Sequence, residues 1–267
     1  MTKLTDQIYW LRGSGANLTV SIGPDGILLV DCDFAATTPR IKEALAQLSP
    51  APVKYLIDTH WHGDHTGGNA GFARDGTVII AQANVLERLR HPQFSPYFSV
   101  KTEAQPPEMW PKITFATEMM LTFNGEDLQM AYLGPAHCDN DAIVYFPKSN
   151  VMCMGDIFIN GMYPIIDVGT AGTIDGYFPI LDKALAMIDD QTQVVAGHGP
   201  VGTKKGMTFY RDMLLTIHGR VATMRREGRT VGEVVEAKPS MEFDAEWASD
   251  RVSGDAVTRM IYESMRG

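Results

Sequence analysis

The chain of 267 residues is poor in several things. Its three cysteines, Cys32, Cys138 and Cys153, are too few and too irregularly spaced for a disulfide framework. No run of about 18 apolar residues occurs, which argues against a transmembrane helix and against a membrane partner. The opening MTKLTDQIYWLRG lacks the apolar stretch of a secretory leader. The default location on that footing is the cytoplasm, with the periplasm as the alternative if a leader has been removed. Basic residues are outnumbered, 23 Lys and Arg against 32 Asp and Glu, for a net charge of −9. That balance disfavours nucleic acid as the main partner, because phosphate binding needs a basic surface. Histidine is scarce too, with 7 in the whole chain.

Against that scarcity, residues 58–68 read DTHWHGDHTGG and hold His60, His62, Asp64 and His65 within six positions. The rest of the composition is ordinary for a globular protein, with 45% apolar and 21% charged residues. The length is enough for one sizeable core.

Strand-like and helix-like segments alternate along the chain. IYWLRG and NLTVSIGPDGILLVDCDF read as strands, with Leu18, Val20 and Ile22 alternating with polar residues and GPDG turning the chain. PRIKEALAQL has helical spacing and proline in its first turn. VKYLID is a buried strand that leads into the histidine cluster, and TVIIAQ a strand followed by the helix NVLERLR. Residues 91–112, punctuated by Pro92, Pro96, Pro106, Pro107 and Pro111, read as a long irregular loop. Hairpins are predicted at Asn124-Gly125 and around Pro147–Asn150. TIDGYFPILDKALAMI is a helix with Thr173 and Asp175 as capping candidates, and QVVAGHGPVG a strand entering a glycine-rich loop. From about residue 203 the pattern turns helical. Periodicity therefore indicates an α/β fold with a mixed or largely antiparallel sheet.

In extended backbone, residues i and i+2 point the same way, so His60 and His62 can converge on one point. Asp64 and His65 follow Gly63, whose conformational freedom would let them reach a second point. Imidazole with carboxylate suits Zn²⁺, Fe or Mn and not the all-oxygen sites of Mg²⁺ or Ca²⁺. His137 in GPAHCDND, Asp156 in MCMGD and His198 in AGHGP each lie where a strand-like run ends, a placement that suits further ligands. His91 precedes a proline and His218 lies in an amphipathic helix, so neither is a candidate. Cys153 reads as strand packing, and Lys204 and Lys205 as solvated helix-start residues.

His60-x-His62-x-Asp64-His65, then His137, Asp156 and His198 in that order, resembles the metallo-β-lactamase superfamily over roughly residues 5–203. The resemblance implies an αββα sandwich of two mixed sheets with helices outside and metals at one edge. A single domain, 1–267, would comprise that core and a C-terminal helical extension of about residues 204–267. It implies two Zn²⁺, with Fe or Mn as alternatives: one held by His60, His62 and His137, the other by Asp64, His65 and His198, and Asp156 bridging. Asp31, ending ILLVD, would support the site from behind. Asp64 would also act catalytically, orienting the nucleophile and taking its proton. Asn140, Tyr163 and Trp110 are candidates for contacting substrate or an oxyanion. Phe94, Tyr97, Phe98, Met109, Trp110 and Met162 are candidate walls of an apolar pocket.

The implied activity is hydrolysis of a small carbonyl compound by metal-activated water, β-lactamase-like on an amide, lactam or ester, or else glyoxalase II-like on a thioester or lactone. The bridging aspartate departs from the familiar zinc β-lactamases. An iron-dependent oxidoreductase of the sulfur dioxygenase type is the alternative of another class. Acidic charge disfavours a nuclease, and homo-oligomerisation is left open.

Overall fold

The computed structural model describes residues 1–266. A seven-stranded mixed sheet is ordered Thr2–Lys3, Ile8–Arg12, Asn17–Gly23, Gly26–Val30, Val53–Asp58, Val78–Gln82, Ile113–Phe115. Its first four strands are antiparallel and the last three continue in parallel. The second sheet has six strands, Glu118–Phe123, Glu126–Tyr132, Ala142–Phe146, Val151–Cys153, Gln193–Val195 and Gly202–Thr203. All its pairings are antiparallel except that between Val151–Cys153 and Gln193–Val195.

Side-chain alternation along these strands creates four layers. In the first sheet, Leu28, Val30, Ile57 and Ile80 face inward to meet Phe123, Leu128, Val144, Phe146, Cys153 and Val195 of the second. Their immediate neighbours Leu29, Leu56 and Ile79 turn outward onto Ile41 and Leu45 of the helix Thr38–Leu48. On the other side, Ile143, Met152 and Val194 face Tyr177, Leu181, Leu214 and Ile217 of the helices Ile174–Met187 and Lys204–Arg226. Each fully buried leucine or isoleucine contributes about 1.5–3 kcal/mol, so strands apolar on both faces drive the assembly of all four layers. The αββα sandwich is thus the observed architecture. The helices Lys204–Arg226, Val231–Glu236, Asp244–Trp247 and Gly254–Ser264 follow it. Among the described residues, no helix is long and apolar enough to cross a membrane.

Two local expectations change. Asn17, Thr19 and Ser21 alternate with apolar neighbours, yet they too are buried, because that face lies between the sheets. Cys153 Sγ donates to Thr19 Oγ1, and Asn124 Nδ2 to Ser21 Oγ, so the polar face is hydrogen-bonded there. Residues 91–112 are not wholly irregular. Gln93–Ser95 pairs antiparallel with Val100–Thr102, the chain turning through Ser99 at φ 51°, and Pro107–Met109 forms a short 3-10 turn. The turn at Asn124-Gly125 forms as read, both residues having positive φ, the geometry that two-residue hairpins require.

Candidate functional site: a histidine–carboxylate centre between the sheets

Four strand ends deliver the cluster. Val53–Asp58 leads into His60 and His62, Glu126–Tyr132 into the loop of His137, Val151–Cys153 into Asp156, and Gln193–Val195 into His198. The two sheets are stitched together here: Ala142 N–H donates to Thr59 O at 2.7 Å, and Asn17 Nδ2 donates to Ala196 O and Gly199 O. Gly197 is required in this spot, since a Cβ on it would lie 2.0 Å from Asp156 Oδ1. Gly63 has a different role from the one expected of it. His62 is extended (φ −60°, ψ 150°), and a helical turn, Gly63–Thr66, carries Asp64 and His65 away toward the second group. Gly63 needs no left-handed conformation for this, and a Cβ there would meet only open space.

Three sets of potential ligand atoms result, each with all its atoms within 4.8 Å of one another: His60, His62 and His137; Asp64, His65 and His198; and His60, His65 and Asp156. Asp156 stands between the first two. Its Oδ2 lies 3.6 Å from His137 Nε2, 4.0 Å from His60 Nε2 and 3.2 Å from His198 Nε2, while Oδ1 is 3.2 Å from His65 Nε2. Burial works to raise the Asp156 pKa, but the surrounding His198, His65 and His137 hold the carboxyl well below the usual range.

Every histidine of the cluster has its other ring nitrogen engaged. Nδ1 of His65 meets Asp31 Oδ2 at 2.8 Å, Nδ1 of His137 meets Ile165 O at 2.7 Å, and Nδ1 of His198 meets Gly15 O at 2.8 Å. His60 Nδ1 lies 3.1 Å from Thr59 Oγ1, which itself donates to Asp31. His62 is reversed, with Nε2 at 3.0 Å from Asp167 Oδ2 and Nδ1 turned toward His137 Nε2 at 2.8 Å. An outer acceptor that fixes the tautomer and aim of a histidine is the habit of metal-binding imidazoles. The inward atoms His60 Nε2, His65 Nε2 and Asp156 Oδ1 are buried without a hydrogen-bond partner, which is costly unless something else satisfies them. The donor set and these unsatisfied atoms fit divalent metal ions.

Two carboxylates beside this cluster are absent from the sequence-derived set. Asp167 holds His62, and Asp58, buried behind the cluster, accepts from Asn69 Nδ2 at 2.8 Å. Burial pushes the Asp58 carboxyl well above its usual pKa, against the hydrogen bond from Asn69. No motif spacing marks either residue. An aspartate at a strand end or in a glycine-rich turn is the only signal available.

The three proposed substrate contacts are corrected. The Tyr163 hydroxyl is buried and donates to Ser240 O and Asp244 Oδ1 among the C-terminal helices. Asn140 is buried, with its carbonyl oxygen accepting from Trp61 N–H and its amide donating to Asp139, so it braces the histidine loop. Trp110 donates its indole N–H to Gln105 O, lies beneath Arg90 and packs on the small core around Trp61 and Leu89. Of the expected pocket walls, Met109 is core. Tyr97 lines a cavity of about 610 Å³ with Pro96, Val168 and Met260. Phe94 and Phe98 are exposed, and Met162 is half-buried. His91 and His218 stay outside the cluster, paired with Glu87 and Asp175.

The metallo-beta-lactamase superfamily model matches residues 12–198. The chain belongs to the metallo-β-lactamase superfamily, and it is an enzyme of the hydrolytic kind represented there by β-lactamases and alkylsulfatases. It is 26% identical over 212 residues to a type 2 metallo-beta-lactamase of Bacteroides fragilis, covering 76% of this chain and 80% of that protein. It is 20% identical to an alkyl/aryl-sulfatase of Saccharomyces cerevisiae across 92% of this chain and 45% of that one. Among solved structures, the sec-alkylsulfatase Pisa1 from Pseudomonas sp. superposes with a TM-score of 0.70 at 17% identity, over 98% of this chain and 49% of that chain. A metallo-beta-lactamase from Pontibacter korlensis gives 0.63 at 18% identity, over 80% and 97%. The chain therefore spans about half the length of the sulfatases and most of the length of the β-lactamases. Coverage of 98% takes in the helices after Thr203, so the sulfatase fold shares them.

Proposed function

We propose that the protein is a dinuclear, zinc-dependent hydrolase of a small ester- or amide-type substrate. The observation that carries this reading is the position of the Asp156 carboxylate, within 4.0 Å of a ligand nitrogen from each of the two three-residue groups. His60, His62 and His137 would hold one ion, Asp64, His65 and His198 the other, and Asp156 would contact both. When bound, such a pair polarises the bond under attack and lowers the pKa of a coordinated water from ~16 to about 7.

The chain's own residues define the rest. The side chains of His62 and Asp64 are each 21% exposed, whereas those of His60, His65, His137 and His198 are 9% or less, so substrate reaches the centre from the His62–Asp64 side. Asp64 Oδ2 is 3.5 Å from His198 Nε2 and 4.0 Å from His65 Nε2. From there it can orient an attacking water and accept its proton. Phe34, exposed and lying with the Asp64 side chain against Gly15, adds an apolar surface at this opening.

A second reading, sulfate-ester hydrolysis, is favoured by the C-terminal helices held in common with the alkylsulfatase structure. Nitrocefin, S-lactoylglutathione, a homoserine lactone, an aryl acetate and a secondary alkyl sulfate, each offered to zinc-loaded protein, separate the readings. Turnover of a carboxyl derivative supports the first reading, and turnover of the sulfate alone replaces it with the second. Iron as the only metal that supports catalysis, with oxygen consumed, would contradict both.

A further inference from the structure

Asp167 stands out because it grips two members of one candidate ligand group, the partly exposed His62 and the buried His137, without belonging to either group. Oδ2 meets His62 Nε2 at 3.0 Å and accepts from Thr170 Oγ1 at 2.7 Å, while Oδ1 accepts from Gly169 N–H. Its own backbone N–H donates to His137 O at 2.8 Å, and two residues earlier Ile165 O takes His137 Nδ1. One short segment, 165–172, thus sets the ring of His62 and both the ring and the backbone of His137.

That segment is itself pinned from outside the sandwich. Ile166 N–H points at Met260 Sδ, 3.4 Å away on the helix Gly254–Ser264. The hairpin formed by Gln93–Ser95 and Val100–Thr102 lies directly on Gly169, where a Cβ would be 2.4 Å from Phe94 O and 2.7 Å from Pro96 Cδ. The other ligand group is held differently, by Asp31 at His65 and by Gly15 O at His198, both from loops of the first sheet.

We propose that Asp167 is the positioning residue that makes His62 present Nδ1 while its partners present Nε2, and that its loss weakens metal binding at the His60–His62–His137 group while sparing Asp64–His65–His198. With a carboxylate accepting from Nε2–H, the lone pair of His62 sits on Nδ1, facing His137; without that acceptor the proton can move and the ring can turn. The inference rests on the dinuclear reading above and concerns which half of the centre each part of the chain controls.

The test is zinc titration of chelator-stripped full-length protein by calorimetry, with ¹⁵N NMR of the histidine rings. Wild type is expected to take up two equivalents and to show His62 protonated on Nε2. Asp167→Ala is expected to weaken one equivalent by 10–100-fold, as loss of an outer-sphere partner does. The other equivalent stays unchanged and the His62 ring signal shifts. Asp167→Asn keeps an acceptor oxygen and should lose less than Asp167→Ala, and circular dichroism shows that both variants are folded. Two undiminished equivalents in Asp167→Ala, or equal weakening of both, would overturn the role of Asp167. Wild type holding a single equivalent would instead overturn the dinuclear reading on which it rests.

Discussion

The two candidate ligand groups lie side by side, yet they are built from different distances along the chain. Asp64 and His65 are neighbours on one helical turn, and the outer supports of their group, Asp31 and Gly15, come from the first sheet. His60 and His62 belong to the same short motif, but His62 and His137 lean on residues 165–167, which in turn lean on the hairpin at 93–102 and on the last helix. Each group has one partly exposed member, Asp64 in the first and His62 in the second, but the first is braced from the first sheet whereas the second is pinned by elements at the edge of the fold. Four of the seven candidate ligands can therefore sit in a six-residue motif while the orientation of the set is distributed over the chain.

Asp31 is the exception that touches both sides. It accepts directly from His65 and, through the Thr59 hydroxyl, orients His60 as well, from a left-handed backbone position at φ 61°. Among these outer supports, Asp31 is one whose loss should not respect the division.

Breaking the comparison outright calls for Asp156→Ala, which removes the shared carboxylate. Hydrolysis should fall to background and both metal equivalents should weaken, as read by metal analysis after dialysis. Paired single changes come next: His62→Ala and Asp64→Ala should each abolish turnover while leaving one tightly held ion, and the fold should survive by circular dichroism. Asp31→Asn should weaken both ions, by about 10–100-fold at the His65 side, and the same titration checks it. Two further changes act on the scaffold and should leave the metal count alone. Leu28→Ala, between the sheets, should cost about 2–5 kcal/mol in denaturant unfolding. Tyr163→Phe should cost about 1–3 kcal/mol, because it strands the buried Ser240 carbonyl and takes a donor from the half-buried Asp244 carboxylate, with kcat unchanged. A large fall in kcat for Tyr163→Phe would return that hydroxyl to the active site.

Much of this was legible before any coordinates. The seven ligand candidates could be read because three features coincide in sequence: a dense motif, strand ends and loop positions. The sandwich could be read because strands such as ILLV and YLID are apolar on both faces. Residues chosen only for proximity fared worse. Asn140 is three residues from His137 and Tyr163 seven from Asp156, yet one braces Trp61 and the other bonds to the C-terminal helices, since closeness along a loop does not set side-chain direction. Asp167 stayed hidden for the opposite reason: it lies 105 positions from the histidine it holds, and only the packing of the hairpin and last helix brings them together. The prolines of 91–112 suggested irregularity, but Pro96 sits in the turn between the strands Gln93–Ser95 and Val100–Thr102, where it removes no ladder hydrogen bond.

The central claim is that the two groups act as two metal sites joined by Asp156, and crystals grown with zinc address it most directly. Anomalous diffraction at the zinc edge should give two peaks, one among His60, His62 and His137 and one among Asp64, His65 and His198, with the Asp156 carboxylate between them. A single peak, or a second one away from Asp156, would contradict the account.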